Sequence, residues 1–282
     1  MHENILVEIE NIVHVEYSAN RLYNLIMKNT QRNELAVCGF AAVKILEKNN
    51  YQKISRLYIS EEKAPLFGGL CKKMAQDKKP YNRVKDEKEL EKLCGSVHHQ
   101  GVVAMIHSPE IQPLTRSITN SWVEEKQSAI ILDRVGNANN LGAIVRSAAF
   151  FGIKNIVIPL DEAQSSVTTS SYRVAEGGME FVNIYSVKSI SYLLKDMEGK
   201  MVRFGTSLNA KRTVSQMSSL KGNKGAIVVL GNEEQGISHE VEENCDYLVI
   251  IPYWGMSEGK ASAVDSLNVA QASSVIMYEL SK

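Results

Sequence analysis

Six nearly continuous, β-branched apolar runs mark the second half of the chain: AIILDRV (129–135), NIVIP (155–159), FVNIYSV (181–187), MVRFGTS (201–207), GAIVVLG (225–231) and YLVIIP (247–252). Half-exposed strands would alternate apolar with polar residues, so these runs suit strands buried on both faces of a parallel sheet. Helical patterns fall between most of them, in LGAIVRSAAFFG (141–152), ISYLLKDMEG (190–199) and ISHEVEENC (237–245). The chain closes on DSLNVAQASSVIMYEL (265–280), an apolar stripe behind a Ser/Asn start. The alternation predicts a six-strand parallel α/β domain with covered faces over 128–282.

The block at 32–107 gives shorter signals. GFAAVKILEKNN (39–50) reads as a helix, ISRLYIS (54–60) as a strand, and PLFGGLCKKMAQDKK (65–79) as a helix with Pro65 in its first turn. YNRV (81–84) follows as a short strand, DEKELEKLCG (86–95) as a helix with Asp86 as cap and Gly95 as stop, and GVVAMIH (101–107) as a buried strand. These predict a small, parallel-rich α/β sandwich. Between the blocks, 108–127 has two of the six prolines and no sustained apolar period, and reads as a linker with one helical turn at its end. Residues 1–31 form an extension in which VEYSANRLYNLIMKN (15–29) has a weak helical pattern.

Composition adds limits rather than a function. The 282 residues are 44% hydrophobic and 23% charged, which excludes disorder, collagen-like repeats and coiled coil. No apolar run approaches the ~20 residues of a membrane-spanning helix, and the acidic start lacks the layout of a secretory signal. Cys38, Cys71, Cys94 and Cys245 are too scattered to clamp a metal. The adjacent His98 and His99 diverge, so no metal is expected there either. A reduced, cytoplasmic compartment fits this usage. Basic and acidic residues balance at 32 each, but 32–127 holds 16 basic against 12 acidic. So small an excess permits nucleic-acid binding without demanding it.

Ligands of parallel α/β sheets bind beyond the carboxyl ends of the strands, so the loops there carry the candidates. After the first run comes GNANNLGAIVR, with Asn140 and Arg146 six residues apart, a spacing that puts them on different surfaces of a helix. After GAIVVLG comes NEEQGIS, a turn bounded by Gly231 and Gly236 around Glu233. After YLVIIP an irregular loop leads to Ser266 and Asn268 at a helix start. The chain has no G-x-G-x-x-G after the first strand, no phosphate loop and no nucleophile elbow, which disfavours pyrophosphate binding and serine-type hydrolysis.

NNLGAIVR (139–146), VVLGNEEQG (228–236) and DSLNVAQAS (265–273) resemble, in order and in place, the three motifs of the SpoU, or TrmH, branch of the SPOUT RNA methyltransferases. RVAEGGMEFV (173–182) is similar to the family's spacer, and VCGFAAVKILE with HHQGVVAMI to its substrate-binding domain, a ribosomal-protein-like RNA-binding fold. The resemblance implies a parallel-sheet domain with a C-terminal trefoil knot, a homodimer, and S-adenosylmethionine as methyl donor to a ribose 2′-hydroxyl of rRNA or tRNA. It implies Arg146, Asn140, Glu233, Ser266 and Asn268 as catalytic, and Thr206, Gly231, Gly236, Ile251 and Leu267 as wrapping the cofactor. Arg146 would act as a charge beside the hydroxyl and not as a base, since a guanidinium does not give up its proton in proteins. Glu233 would hold its own loop by accepting backbone donors, and Ser266 would serve as substrate contact or as cap of the last helix. Lys72, Lys73, Lys78, Lys79 and Arg83 would meet the RNA backbone. The chain departs from the family in lacking Pro before the first-motif Asn and in inserting GMSEGKASAV before DSLN. Two rival readings are a non-catalytic RNA-binding or ribosome-assembly protein that keeps the fold, and a methyltransferase acting on a base or a protein.

Overall fold

The computed structural model describes residues 33–161, 163–259, 264 and 266–282. The weak helical pattern at 15–29 and the rest of the N-terminal extension lie outside these residues, as does Asp265. The chain divides into two compact units, one ending at Ser108 and the other running from Pro109 to Lys282.

In the first unit, β1 (Glu34–Cys38), α1 (Phe40–Asn50), β2 (Ile54–Ser60), α2 (Gly68–Gln76), β3 (Tyr81–Val84), α3 (Lys88–Cys94) and β4 (Val102–His107) alternate along the chain. The described strands form one sheet in the order β1-β4-β2-β3. Only β2–β3 is parallel; β4 runs antiparallel to both β1 and β2, so the sheet is mixed and not parallel-rich. The expectation failed because a buried apolar run looks the same in either direction. It also failed because ELAVC, too short to stand out, becomes a strand only by pairing Glu34–Cys38 with Val103–His107. Gly95 does stop α3, in a left-handed conformation that donates to the Glu91 carbonyl. The N-cap position of α3 is Glu87 and not Asp86, whose side chain, one residue earlier, accepts from the Lys88 amide at 3.0 Å. His99 is buried, and its Nδ1 accepts the Gly101 amide at 3.1 Å.

The second unit contains β5 (Gln112–Pro113), α4 (Arg116–Glu124), β6 (Ala129–Asp133), α5 (Ala138–Phe151), β7 (Asn155–Pro159), α6 (Thr169–Ala175), β8 (Asn183–Val187), α7 (Ile190–Asp196), β9 (Val202–Thr206) and β10 (Arg212–Thr213). It continues through α8 (Met217–Lys221), β11 (Ala226–Gly231), α9 (His239–Glu242), β12 (Tyr247–Ile250) and α10 (Val269–Leu280). Among the described residues eight strands form one sheet, β10-β12-β9-β11-β6-β7-β8-β5, with every pairing parallel. All six apolar runs are strands of it. The two added strands, β5 and β10, are edge pairs of two residues each, too short for any periodicity to register.

The expected linker folds. Gln112–Pro113 pairs with Tyr185–Ser186, and α4, capped by Thr115, buries Trp122 against Ala129, Val157 and Leu194. Its apolar residues Ile118, Trp122 and Val123 are too few to form a pattern, yet one indole buries much of the area a short helix can offer. Among the described residues no helix is long and apolar enough to cross a membrane.

One buried ion pair ties β9 to the start of β12. Arg203 is 5% exposed; its guanidinium donates to Asp246 at 2.6 and 3.1 Å and to the Leu194 carbonyl at 3.0 Å, while its amide also donates to Asp246. Burial alone would raise the Asp246 carboxyl, but the Arg203 hydrogen bonds outweigh it and hold it below its ordinary value. A depressed folded value means the stabilisation is complete above the unfolded pKa of ~4 and is lost as pH falls through the folded value. Asp246→Asn is therefore expected to lower stability at pH 7 by roughly 2 kcal/mol, less than the ~3–5 of a fully buried pair because Asp246 is partly exposed. Thermal melts of the two proteins should draw together as pH falls below ~4 and converge only below the depressed folded value of Asp246.

Candidate active site

β9, β11 and β12 are neighbours in the sheet, and their carboxyl ends open into one cavity of about 500 Å³. That volume suits a cofactor-sized ligand. Its lining combines apolar Leu230, Ile237, Val249, Ile250 and Ile276 with polar Thr206, Asn232, Glu233 and Ser266. Thr206, Gly231, Gly236, Ile251 and Leu267, brought together in the sequence only by resemblance, all line it.

The turn after β11 is closed on itself. Asn232 and Gly236 exchange both backbone hydrogen bonds, at 3.1 and 2.9 Å, and the Asn232 side-chain oxygen accepts the amides of Glu234 and Gln235. A Cβ at Gly231 would stand 2.1 Å from the Gly236 carbonyl carbon, so only glycine lets the turn shut this tightly. It is thus Asn232, and not Glu233, that holds the loop by accepting backbone donors.

Glu233 instead projects from the turn and accepts a hydrogen bond from Asn140 Nδ2. Asn140 Oδ1 in turn accepts from Asn268 Nδ2 at 3.2 Å. Three residues from three separate motifs thereby form one chain of hydrogen bonds, which meets the cavity lining at Glu233. Asn140 reaches it from the first turn of α5, which Asn137 caps by accepting the Asn139 amide at 2.8 Å. Asn268 also caps α10, accepting the Ala270 amide at 3.0 Å. The cap of the last helix is therefore Asn268; Ser266 lies before it and lines the cavity.

Arg146 is not part of this cluster. It does not line the cavity, its side chain is 58% exposed, and it pairs with Glu176 at 3.0 Å. The six-residue spacing from Asn140 foretold this separation. In the first unit, Lys72, Lys73, Lys78 and Arg83 are exposed. Lys79 is committed elsewhere: its ammonium donates to the Gln52 and Ile54 carbonyls at 2.9 and 2.6 Å. Lys73 and Lys79 both sit over the ring of Tyr51, at 3.9 and 4.6 Å from its centroid. Burial and a hydrogen bond to Asp77 push the Tyr51 phenol up to about 12.

Sequence reasoning missed the 207–209 segment, Val214 and Tyr253 in the cavity wall, and Arg134 behind it. A strand-end Asp-Arg pair was visible in the sequence, but nothing there reveals that Arg134 has φ 60°.

The sequence profile of the SpoU rRNA Methylase family matches residues 127–278, and that for RNA 2′-O ribose methyltransferase substrate binding matches 36–112. The chain is 32% identical over 196 residues to the 23S rRNA (guanosine-2′-O-)-methyltransferase RlmB of Acinetobacter baylyi, covering 67% of this chain and 73% of that protein. It is 28% identical over 249 residues to RlmB of Pseudomonas aeruginosa, covering 86% and 94%. Its fold matches that of the SpoU methyltransferase AviRb from Streptomyces viridochromogenes, solved in complex with AdoMet, with a TM-score of 0.66 at 19% identity over 90% of this chain and 91% of that one. By its two matched segments and its parallel-sheet fold, the chain belongs to the SpoU family of RNA methyltransferases.

Proposed function

We propose that this protein transfers a methyl group from S-adenosylmethionine to a ribose 2′-hydroxyl of rRNA or tRNA. The observation that carries this reading is the cavity that gathers Thr206, Gly231, Gly236, Ile251 and Leu267, with the Asn268–Asn140–Glu233 chain joining it at Glu233. The cavity fits the cofactor in size, in its mixed polar and apolar wall, and in the bare backbone that glycine leaves at 231. When bound, S-adenosylmethionine supplies a methyl already activated by a sulfonium, whose thioether leaving group needs no proton. The chain's own residues then have to align a weakly acidic hydroxyl and favour its alkoxide. Asn140 and Asn268 orient the ribose, and Glu233 fixes the Asn140 amide. Ser266 contacts ribose or cofactor from the opposite wall.

Arg146 supplies the charge that stabilises the developing alkoxide and grips the adjoining phosphate. Because it lies away from the cavity of its own chain, it serves the cavity of a second copy. Support for a homodimer comes from α5 and α10, which expose Phe150 at 82% and Tyr278 at 51%, with Phe151 and Tyr278 in ring contact at 6.3 Å. A contiguous aromatic surface of this kind marks an interaction site. The insertion of β11 between β9 and β6 supports the trefoil threading expected of the family. The first unit delivers RNA through exposed Lys72, Lys78 and Arg83, within a cytoplasmic setting.

The reading is tested by incubating the protein with radiolabelled S-adenosylmethionine and total RNA, followed by nucleoside analysis. A 2′-O-methylnucleoside supports it; no incorporation, with cofactor bound, favours the non-catalytic alternative. Gly231→Ala should abolish cofactor binding in calorimetry while circular dichroism still reports a folded sheet. Arg146→Ala should slow single-turnover methylation ~100- to 1,000-fold with cofactor affinity nearly unchanged, and Arg146→Lys should rescue poorly. Mixing the Gly231→Ala and Arg146→Ala proteins, after subunit exchange, should restore turnover, since one site in each mixed dimer has both an intact cavity and an Arg146. Absence of rescue would assign Arg146 to the cavity of its own chain.

A further inference from the structure

Arg134 follows β6 directly and holds a left-handed backbone, φ 60°, that side chains other than Asn and Asp rarely adopt. A residue kept in a costly conformation needs a compensating contact, and its side chain makes several. The guanidinium bridges Asp133 through Nε at 2.9 Å and Nη2 at 3.4 Å, then reaches across to the turn after β11. There Nη1 donates to Gln235 Oε1 at 3.0 Å and Nη2 to the Gly236 carbonyl at 3.4 Å. The backbone answers in the other direction, since Asn232 Nδ2 donates to the Arg134 carbonyl at 3.1 Å. Asp133, 5% exposed, takes the Ser238 amide at 2.8 Å and so pins the far end of the same turn.

We infer that Arg134 is a positioning residue: it holds the 232–236 turn in the shape that closes the cofactor cavity and aims Glu233 at Asn140. The left-handed backbone is what turns the fork of the guanidinium toward the turn, and the planar fork lets one side chain grip Asp133 and the turn together. Arg134 touches neither ribose nor cofactor; it acts through Gln235 and Gly236, which line the cavity. The inference rests on that cavity being the cofactor's, and the test separates the two.

Arg134→Gly removes the fork while accepting the same φ. Glycine's ease at this position offsets part of the lost bridge, and Asp133 keeps the Ser238 amide, so the melting temperature should stay within a few degrees of wild type. S-adenosylmethionine affinity, measured by calorimetry, should fall about tenfold, the equivalent of losing about one charge-assisted hydrogen bond. Hydrogen exchange should speed up at the amides of 232–236 and not in β6 or β11. Gln235→Ala, which leaves Arg134 and Asp133 paired, should weaken the cofactor in the same direction by a smaller factor and remains informative if the glycine variant fails to fold. The double variant should bind no more weakly than Arg134→Gly alone, because both act through one contact. Unchanged cofactor affinity in Arg134→Gly, with or without a lower melting temperature, would overturn the inference, as would full additivity in the double variant. Failure of the wild-type protein to bind S-adenosylmethionine would instead overturn the cofactor reading.

Discussion

The site depends on one backbone contact, the approach of Gly231 to Gly236 at the carboxyl end of β11. β11 lies between β6 and β9, paired in parallel with both and buried along five of its six residues. A strand so confined cannot shift, and its end cannot fray. The turn that follows must therefore reverse within a few residues, and it does so by closing Asn232 on Gly236 with no room for a side chain at 231. Tight closure has two effects at once. It leaves bare main chain facing the cavity, and it raises Glu233 to the apex, where Asn140 can bind it.

The hydrogen-bond chain from Asn268 through Asn140 to Glu233 explains why three motifs far apart in sequence behave as one site. Asn140 is fixed by the first turn of α5, Asn268 by its own capping of α10, and Glu233 by the closed turn. Each side chain is held by local backbone geometry before it meets the others, which lowers the conformational entropy lost in assembling the cluster. Packing of α5 against α10 keeps the two asparagines adjacent, with Ser147 and Ser274 in hydrogen-bond contact at 2.8 Å between the helices.

How legible this was in the sequence follows the length scale of each feature. Runs such as GAIVVLG and AIILDRV announced buried parallel strands because burial on both faces removes alternation. ELAVC, Gln112–Pro113 and Arg212–Thr213 are strands only because a longer neighbour pairs with them, and no local pattern records that. The same applies to 108–127, where one tryptophan decides the packing. At the site, the positions of Asn140, Glu233 and Asn268 could be read from their turns, whereas their hydrogen bonds could not. The assignment of loop-holding to Glu233 was wrong by one residue: Asn232 has the shorter side chain, which returns to its own backbone in the way asparagine does in turns.

Arg146 brings out the remaining logic of the fold. It sits on the same helix as Asn140, yet one and two-thirds turns carry it to a surface where Glu176 is its partner. Both side chains are more than half exposed, so the pair contributes little to stability and is readily exchanged for another partner. A guanidinium in so exposed a pair can change partner at little cost, and a phosphate would offer two oxygens in the geometry the fork prefers. Under the proposed reaction the cavity would bind and align, while the loosely paired arginine on the exposed α5 surface would receive the phosphate. Dividing the two tasks between copies would make activity depend on assembly, and methyl transfer would begin only where a cavity, an RNA phosphate and an arginine meet.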